Sequence, residues 1–61
     1  MADSILNGKL ILAVDDEPDV LATLEDEIKG AAPNCKFEKA ATYEEAVEKL
    51  KSKNYDVVIL D

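Results

Sequence analysis

The sequence contains no histidine, no arginine and no tryptophan, and its single cysteine is Cys35. Without histidine and with only one thiol, the chain cannot assemble a zinc site, an intramolecular disulfide, or a Ser-His-Asp or Cys-His nucleophile. Cys35 has Lys36 as its only flanking cation and opens no helix, so it reads as a small strand residue in a reducing compartment and not as a reactive thiol. Long apolar runs are missing as well. The longest, Leu10 to Val14, falls far short of the roughly 20 residues that a membrane span requires. The N-terminus also lacks the basic-then-apolar pattern of a secretion signal, and together these absences predict a cytoplasmic protein with no membrane partner. Positive charge is scarce: the 7 cations are all lysines and face 14 acidic residues, for a net charge of −7. A field of that sign repels phosphate backbones, which excludes nucleic acid as a partner of this segment.

What is present describes one small domain or a part of one: 61 residues, 48% of them apolar and 34% charged. A chain of this size buries only about 60% of the surface its unfolded form exposes, so its stability is marginal unless a metal or a partner contributes.

Residues 1–8 mix small and polar types and end in the turn dipeptide Asn7-Gly8, which predicts a loose lead-in to a domain over residues 9–61. From Lys9 to Val14 the apolar residues are continuous and rich in branched side chains, as in a strand covered on both faces, and the run stops at Asp15-Asp16-Glu17. Pro18 stands where a helix begins, with Val20, Leu21, Leu24 and Ile28 following at helical spacing and Gly30 as the stop. After the Pro33-Asn34 turn, Cys35 to Ala40 alternates, with Cys35, Phe37 and Lys39 on one side and Lys36, Glu38 and Ala40 on the other, as a half-exposed edge strand does. Thr42 with Glu45 has the capping-box spacing that opens a second helix, in which Tyr43, Ala46, Val47 and Leu50 form an apolar stripe. Lys49, Lys51 and Lys53 then suit the negative end of its dipole, and Asn54 offers a left-handed stop. Asp56 to Leu60 is a further continuous apolar strand, closing at Asp61.

The order β-α-β-α-β predicts an α/β fold with a parallel three-stranded sheet and right-handed crossovers. An all-apolar first strand belongs in the centre and an alternating second strand at an edge, which selects the order 2-1-3 and places the two helices on opposite faces. The third strand then reads as buried on both faces yet has no further neighbour, leaving an open edge that favours self-association.

In that order the first and third strands are parallel neighbours about 4.8 Å apart, so their carboxyl ends lie side by side. Asp15, Asp16 and Asp61 therefore converge where open α/β sheets place their ligands. Such carboxylates repel one another unless a cation joins them, and few protein ligands with room for water suit Mg²⁺ better than Ca²⁺.

Ile11-Leu12-Ala13-Val14-Asp15-Asp16-Glu17-Pro18, the capped helix start Ala41-Thr42-Tyr43-Glu44-Glu45-Ala46 and Asp56-Val57-Val58-Ile59-Leu60-Asp61 resemble the first half of a response-regulator receiver domain, a flavodoxin-like phosphoacceptor of two-component signalling. The resemblance spans Lys9 to Asp61. It implies a phosphoprotein of a phosphorelay and not a turnover enzyme, with Asp61 accepting a phosphoryl group from a partner histidine kinase. It also implies Asp16 as a direct Mg²⁺ ligand and Asp15 as one acting through water. A full receiver has about twice this length. The Ser or Thr of its fourth strand, the Lys of its fifth and the backbone carbonyl after the acceptor are not among these residues, so the resemblance implies a fragment that needs them for transfer.

Plainer roles stand beside these. Asp15, Asp16 and Glu17 are also ordinary helix-capping residues, and Glu17 is expected to do no more than cap or gate solvent. Thr42 is a cap and not the family's switch hydroxyl, Tyr43 and Tyr55 are packing residues with wet hydroxyls, and the lysines of the second helix form a solvated face. Beside the phosphoacceptor stand an association-prone half-domain that completes its sheet with another copy, and an unrelated divalent-metal hydrolase. The hydrolase lacks any general base other than the carboxylate ligands themselves.

Overall fold

A computed structural model describes residues 5–60. Its elements follow the expected order: β1 (Leu10–Val14), α1 (Pro18–Ala31), β2 (Lys36–Ala40), α2 (Tyr43–Ser52) and β3 (Val57–Leu60). All strand pairings are parallel and the sheet order is β2-β1-β3. The chain is therefore α/β with the 2-1-3 arrangement anticipated from strand polarity.

The centre of the sheet is the most apolar strand. Ile11, Leu12 and Ala13 of β1 are each 0% exposed. Odd and even residues of a strand point to opposite faces, and the core divides accordingly. On one face Ile11, Ala32 and Cys35 pack with Ile28, Phe37, Val57 and Ile59, under α1. On the other, Leu12, Ala40 and Ala46 pack with Val14 and Tyr55, under α2.

Several local expectations need correction. The lead-in is not loose where it is described: Gly8 takes φ +80, its N–H donates to the Asn34 carbonyl at 3.1 Å, and the Asn7 side chain accepts from the Asn34 N–H at 3.0 Å. A turn with a left-handed glycine thus fastens the start of the chain to the α1–β2 connection. Lys9, Cys35 and Asp56 fall just outside their strands. Gly30 does not stop α1, which continues through Ala31 and is closed by the Ala32 N–H bonding the Ile28 carbonyl. Asn54 is not left-handed, since no described non-glycine residue has positive φ; α2 ends instead at an extended Lys53.

The third strand also differs from expectation. Val57 and Ile59 are half-buried, but Val58 is 40% and Leu60 72% exposed. The cause is the extent of α2, which covers β1 and β2 and makes no substantial contact with β3. Among the described residues, the outer edge of β3 has no neighbouring strand.

Candidate functional site

Strand register brings the site together. Val14 at the end of β1 lies opposite Ala40 of β2 and Leu60 of β3, so three carboxyl ends meet at one end of the sheet, together with the loops that follow β1 and β2. There an open pocket of about 400 Å³ is lined by Val14, Asp15, Asp16, Ala41, Thr42, Tyr43 and Leu60.

Asp15 is 7% exposed and is the buried charged residue of the core. Its N–H donates to the Ala40 carbonyl at 3.1 Å, extending the β1–β2 ladder by one step, and its Oδ1 accepts the Glu17 N–H at 2.8 Å. That second bond shapes the turn into α1 and satisfies an N–H at the helix start. Asp16, next in the turn, is exposed at the pocket. Glu17 is the N-cap of α1 but makes no side-chain cap bond, and Asp15 bonds only the N–H of that N-cap residue.

Thr42 and Tyr43 form the opposite wall. The Glu45 N–H donates to Thr42 Oγ1 at 3.0 Å, as the capping-box spacing requires. The returning arm differs from the usual box: Glu45 Oε1 accepts from the Ala41 N–H at 2.9 Å, one residue before the cap. Tyr43, expected as a packing residue, is 77% exposed at the pocket rim. It shares the helical stripe of the buried Ala46, three residues on, and stays exposed because no described element covers the start of α2. Motif spacing alone does not single out Thr42 and Tyr43 as pocket residues. A signal for them exists in the strand order, because in a 2-1-3 sheet the loop after β2 opens beside the loop after β1.

The third carboxylate expected here, Asp61, lies outside the described residues. Among the described residues no cluster of three or more His, Cys, Asp or Glu side chains is placed to hold a metal ion. The donor chemistry still suits a hard cation, because Asp15, Asp16 and Thr42 bring only oxygen side chains to the pocket.

A second polar cluster lies on the same sheet face. Glu38 of β2 accepts from Tyr55 Oη at 2.5 Å, is hydrogen-bonded by Lys53 and stands 3.8 Å from Lys49 Nζ. Lys53 first, then Tyr55, hold the Glu38 carboxyl below its ordinary value. Burial, reinforced by the Glu38 carboxylate, pushes the Tyr55 phenol up to about 12. Lys49 and Lys53 are thus engaged with Glu38 and do not form the purely solvated face expected of them, and the Tyr55 hydroxyl is bonded to protein.

No helix among the described residues is long and apolar enough to cross a membrane. The chain matches no protein-family model, no curated protein and no solved structure.

Proposed function

We propose that the chain carries the phosphoacceptor half of a response-regulator receiver domain, with Asp61 as acceptor, a histidine kinase as donor partner and Mg²⁺ held at Asp15 and Asp16. The observation that carries this reading is the Val14–Leu60 register pair, which sets the acidic turn after β1 beside the strand that leads into Asp61. In the transfer, an Asp61 carboxylate oxygen attacks phosphorus, the P–N bond of the donor phosphohistidine breaks with its electron pair going to the ring nitrogen, and an acyl phosphate forms. Asp16 and Asp15 supply the oxygen ligands, and the turn bond from the Glu17 N–H to Asp15 fixes the direction in which that acidic loop faces. Bound Mg²⁺ supplies neutralisation of the charge on the transferred oxygens.

The reading is tested on a chain that carries these residues within a complete receiver domain. Treatment with phosphoramidate and Mg²⁺, followed by borohydride trapping and peptide mapping, is expected to place acid-labile phosphate on Asp61 and to lose it in Asp61→Asn. Absence of label, or label that persists in that variant, contradicts the assignment.

A second reading is favoured by a separate observation, the open and uncharged edge of β3 with Val58 and Leu60 exposed beside it. In this reading the 61-residue chain completes its sheet against another copy and is chemically silent alone. The edge of β2, by contrast, carries Lys36, Glu38 and Lys39, the kind of charge that keeps strand edges apart.

A further inference from the structure

Helix α2 has little apolar anchorage. Its one buried residue is Ala46, whereas α1 buries Leu21, half-buries Leu24 and packs Ile28 against the core cluster of Ile11, Ala32 and Cys35. Of the other apolar side chains of α2, Val47 is half-buried, Leu50 is 44% exposed and Tyr43 is 77% exposed. A methyl group alone does not fix a helix against rotation or tilt. The carboxyl-terminal end of α2 is held differently, through Lys49 and Lys53, which both reach the Glu38 carboxylate on β2. Tyr55 bonds the same carboxylate from the segment that enters β3 and packs against Leu12, Ala40 and Ala46. Glu38 itself stands on the edge strand β2 but is paired with Leu12 of the central strand, a fixed point from which to hold the helix.

We infer that Glu38 is a positioning residue for the pocket: by gripping the far end of α2 it sets how Thr42 and Tyr43 stand over the carboxyl ends of β1 and β3. The inference rests on the pocket being the functional site. A helix of 10 residues is about 15 Å long, so a tilt of about 10° at the gripped end carries the other end roughly 2–3 Å. That displacement is comparable to a metal–oxygen distance, and it would move the wall formed by Thr42 and Tyr43 without touching any residue of the acidic turn.

Residual dipolar couplings and amide hydrogen exchange on the 61-residue chain test this, in the unmodified protein, in Glu38→Gln and in Lys53→Met. Glutamine keeps an acceptor for Tyr55 but loses the attraction for both lysines; the lysine substitution leaves Glu38 and its tyrosine bond in place. Both variants are expected to reorient α2 relative to the sheet and to speed exchange of α2 amides about tenfold. Amides of α1 and β1 keep their orientation and exchange rates. Equal acceleration in all elements would mean that Glu38 contributes only to global stability, and would overturn the inference. An unchanged α2 in both variants would overturn it too. These readouts need no metal and no phosphodonor, so a pocket that fails to bind Mg²⁺ would sink the proposed function while the effect of Glu38 on α2 stays measurable.

Discussion

At the scale of single residues, burial and polar pairing decide which side chains matter. Leu12 is 0% exposed and touches the cluster under α2, so Leu12→Ala removes a packed side chain from the middle of the sheet. The expected loss is about 2–5 kcal/mol, which is a large share of the stability of a domain this small and should show as a lowered urea midpoint or outright unfolding. Tyr55 makes a pH prediction of definite sign. Its phenol titrates near 12 in the folded chain against 10.0 for an ordinary tyrosine. The folded state holds this proton more tightly, so the contribution is fully present below pH 10 and lost as pH climbs from there toward 12. Tyr55→Phe is expected to lower stability at neutral pH and to flatten that alkaline loss, both visible in urea melts across the range. Glu38 and Glu25 work in the opposite sense. Lys53 holds the first, and Lys39 the second, below the ordinary value of 4.5, so their contributions fade as pH falls beneath that value.

At the scale of elements, patterning in the sequence is legible wherever an element's environment is set by its own residues. The unbroken apolar run of β1 announces a central strand, and the alternation of β2 announces an edge. Thr42 announces the start of α2 through the spacing to Glu45, and the bond is there. Legibility ends where a neighbour decides. The apolar run of β3 reads the same as that of β1, but α2 stops short of it, so Val58 and Leu60 stay exposed. Leu50 and Tyr43 fit a helical stripe by spacing and remain exposed for the same lack of a covering element. Gly30 looks like a stop because glycine favours left-handed caps, yet an i→i−4 bond at Ala32 closes the helix without one. The engagement of Lys49 and Lys53 with Glu38 is not legible, since it joins residues more than a strand apart in sequence through tertiary packing. The bare side of β3 carries its own prediction. Val58→Lys places a charge on that exposed strip. Sedimentation equilibrium should show association of the 61-residue chain that disappears in this variant; an oligomer that survives the substitution would place the contact elsewhere.

At the scale of the whole molecule, the arrangement has one consistent direction. Three parallel strands run toward the same end, and the loops after β1 and β2 and the start of α2 deliver Asp15, Asp16, Thr42 and Tyr43 to a common pocket that Leu60 also lines. The acidic turn is legible from sequence because it interrupts an apolar strand abruptly, and its placement beside β3 follows from strand order. The opposite wall is legible only through strand order, which opens the loop after β2 beside the loop after β1; motif spacing does not single out Thr42 and Tyr43. The chain as a whole carries a net charge of −7, and the charged side chains lining the pocket are the carboxylates Asp15 and Asp16, a combination that favours cations over anions. The proposed chemistry therefore turns on whether the acidic turn takes up a divalent ion. Titrating Mn²⁺, an oxygen-seeking stand-in for Mg²⁺, into the isotope-labelled chain and following paramagnetic broadening of its amide signals tests this most directly. A metal seated at the acidic turn predicts broadening that begins at Asp15, Asp16, Thr42 and Leu60, is reversed by excess Mg²⁺, and is lost in Asp16→Asn. Broadening spread over the acidic surface of α1 and α2, or unchanged in Asp16→Asn, would contradict it.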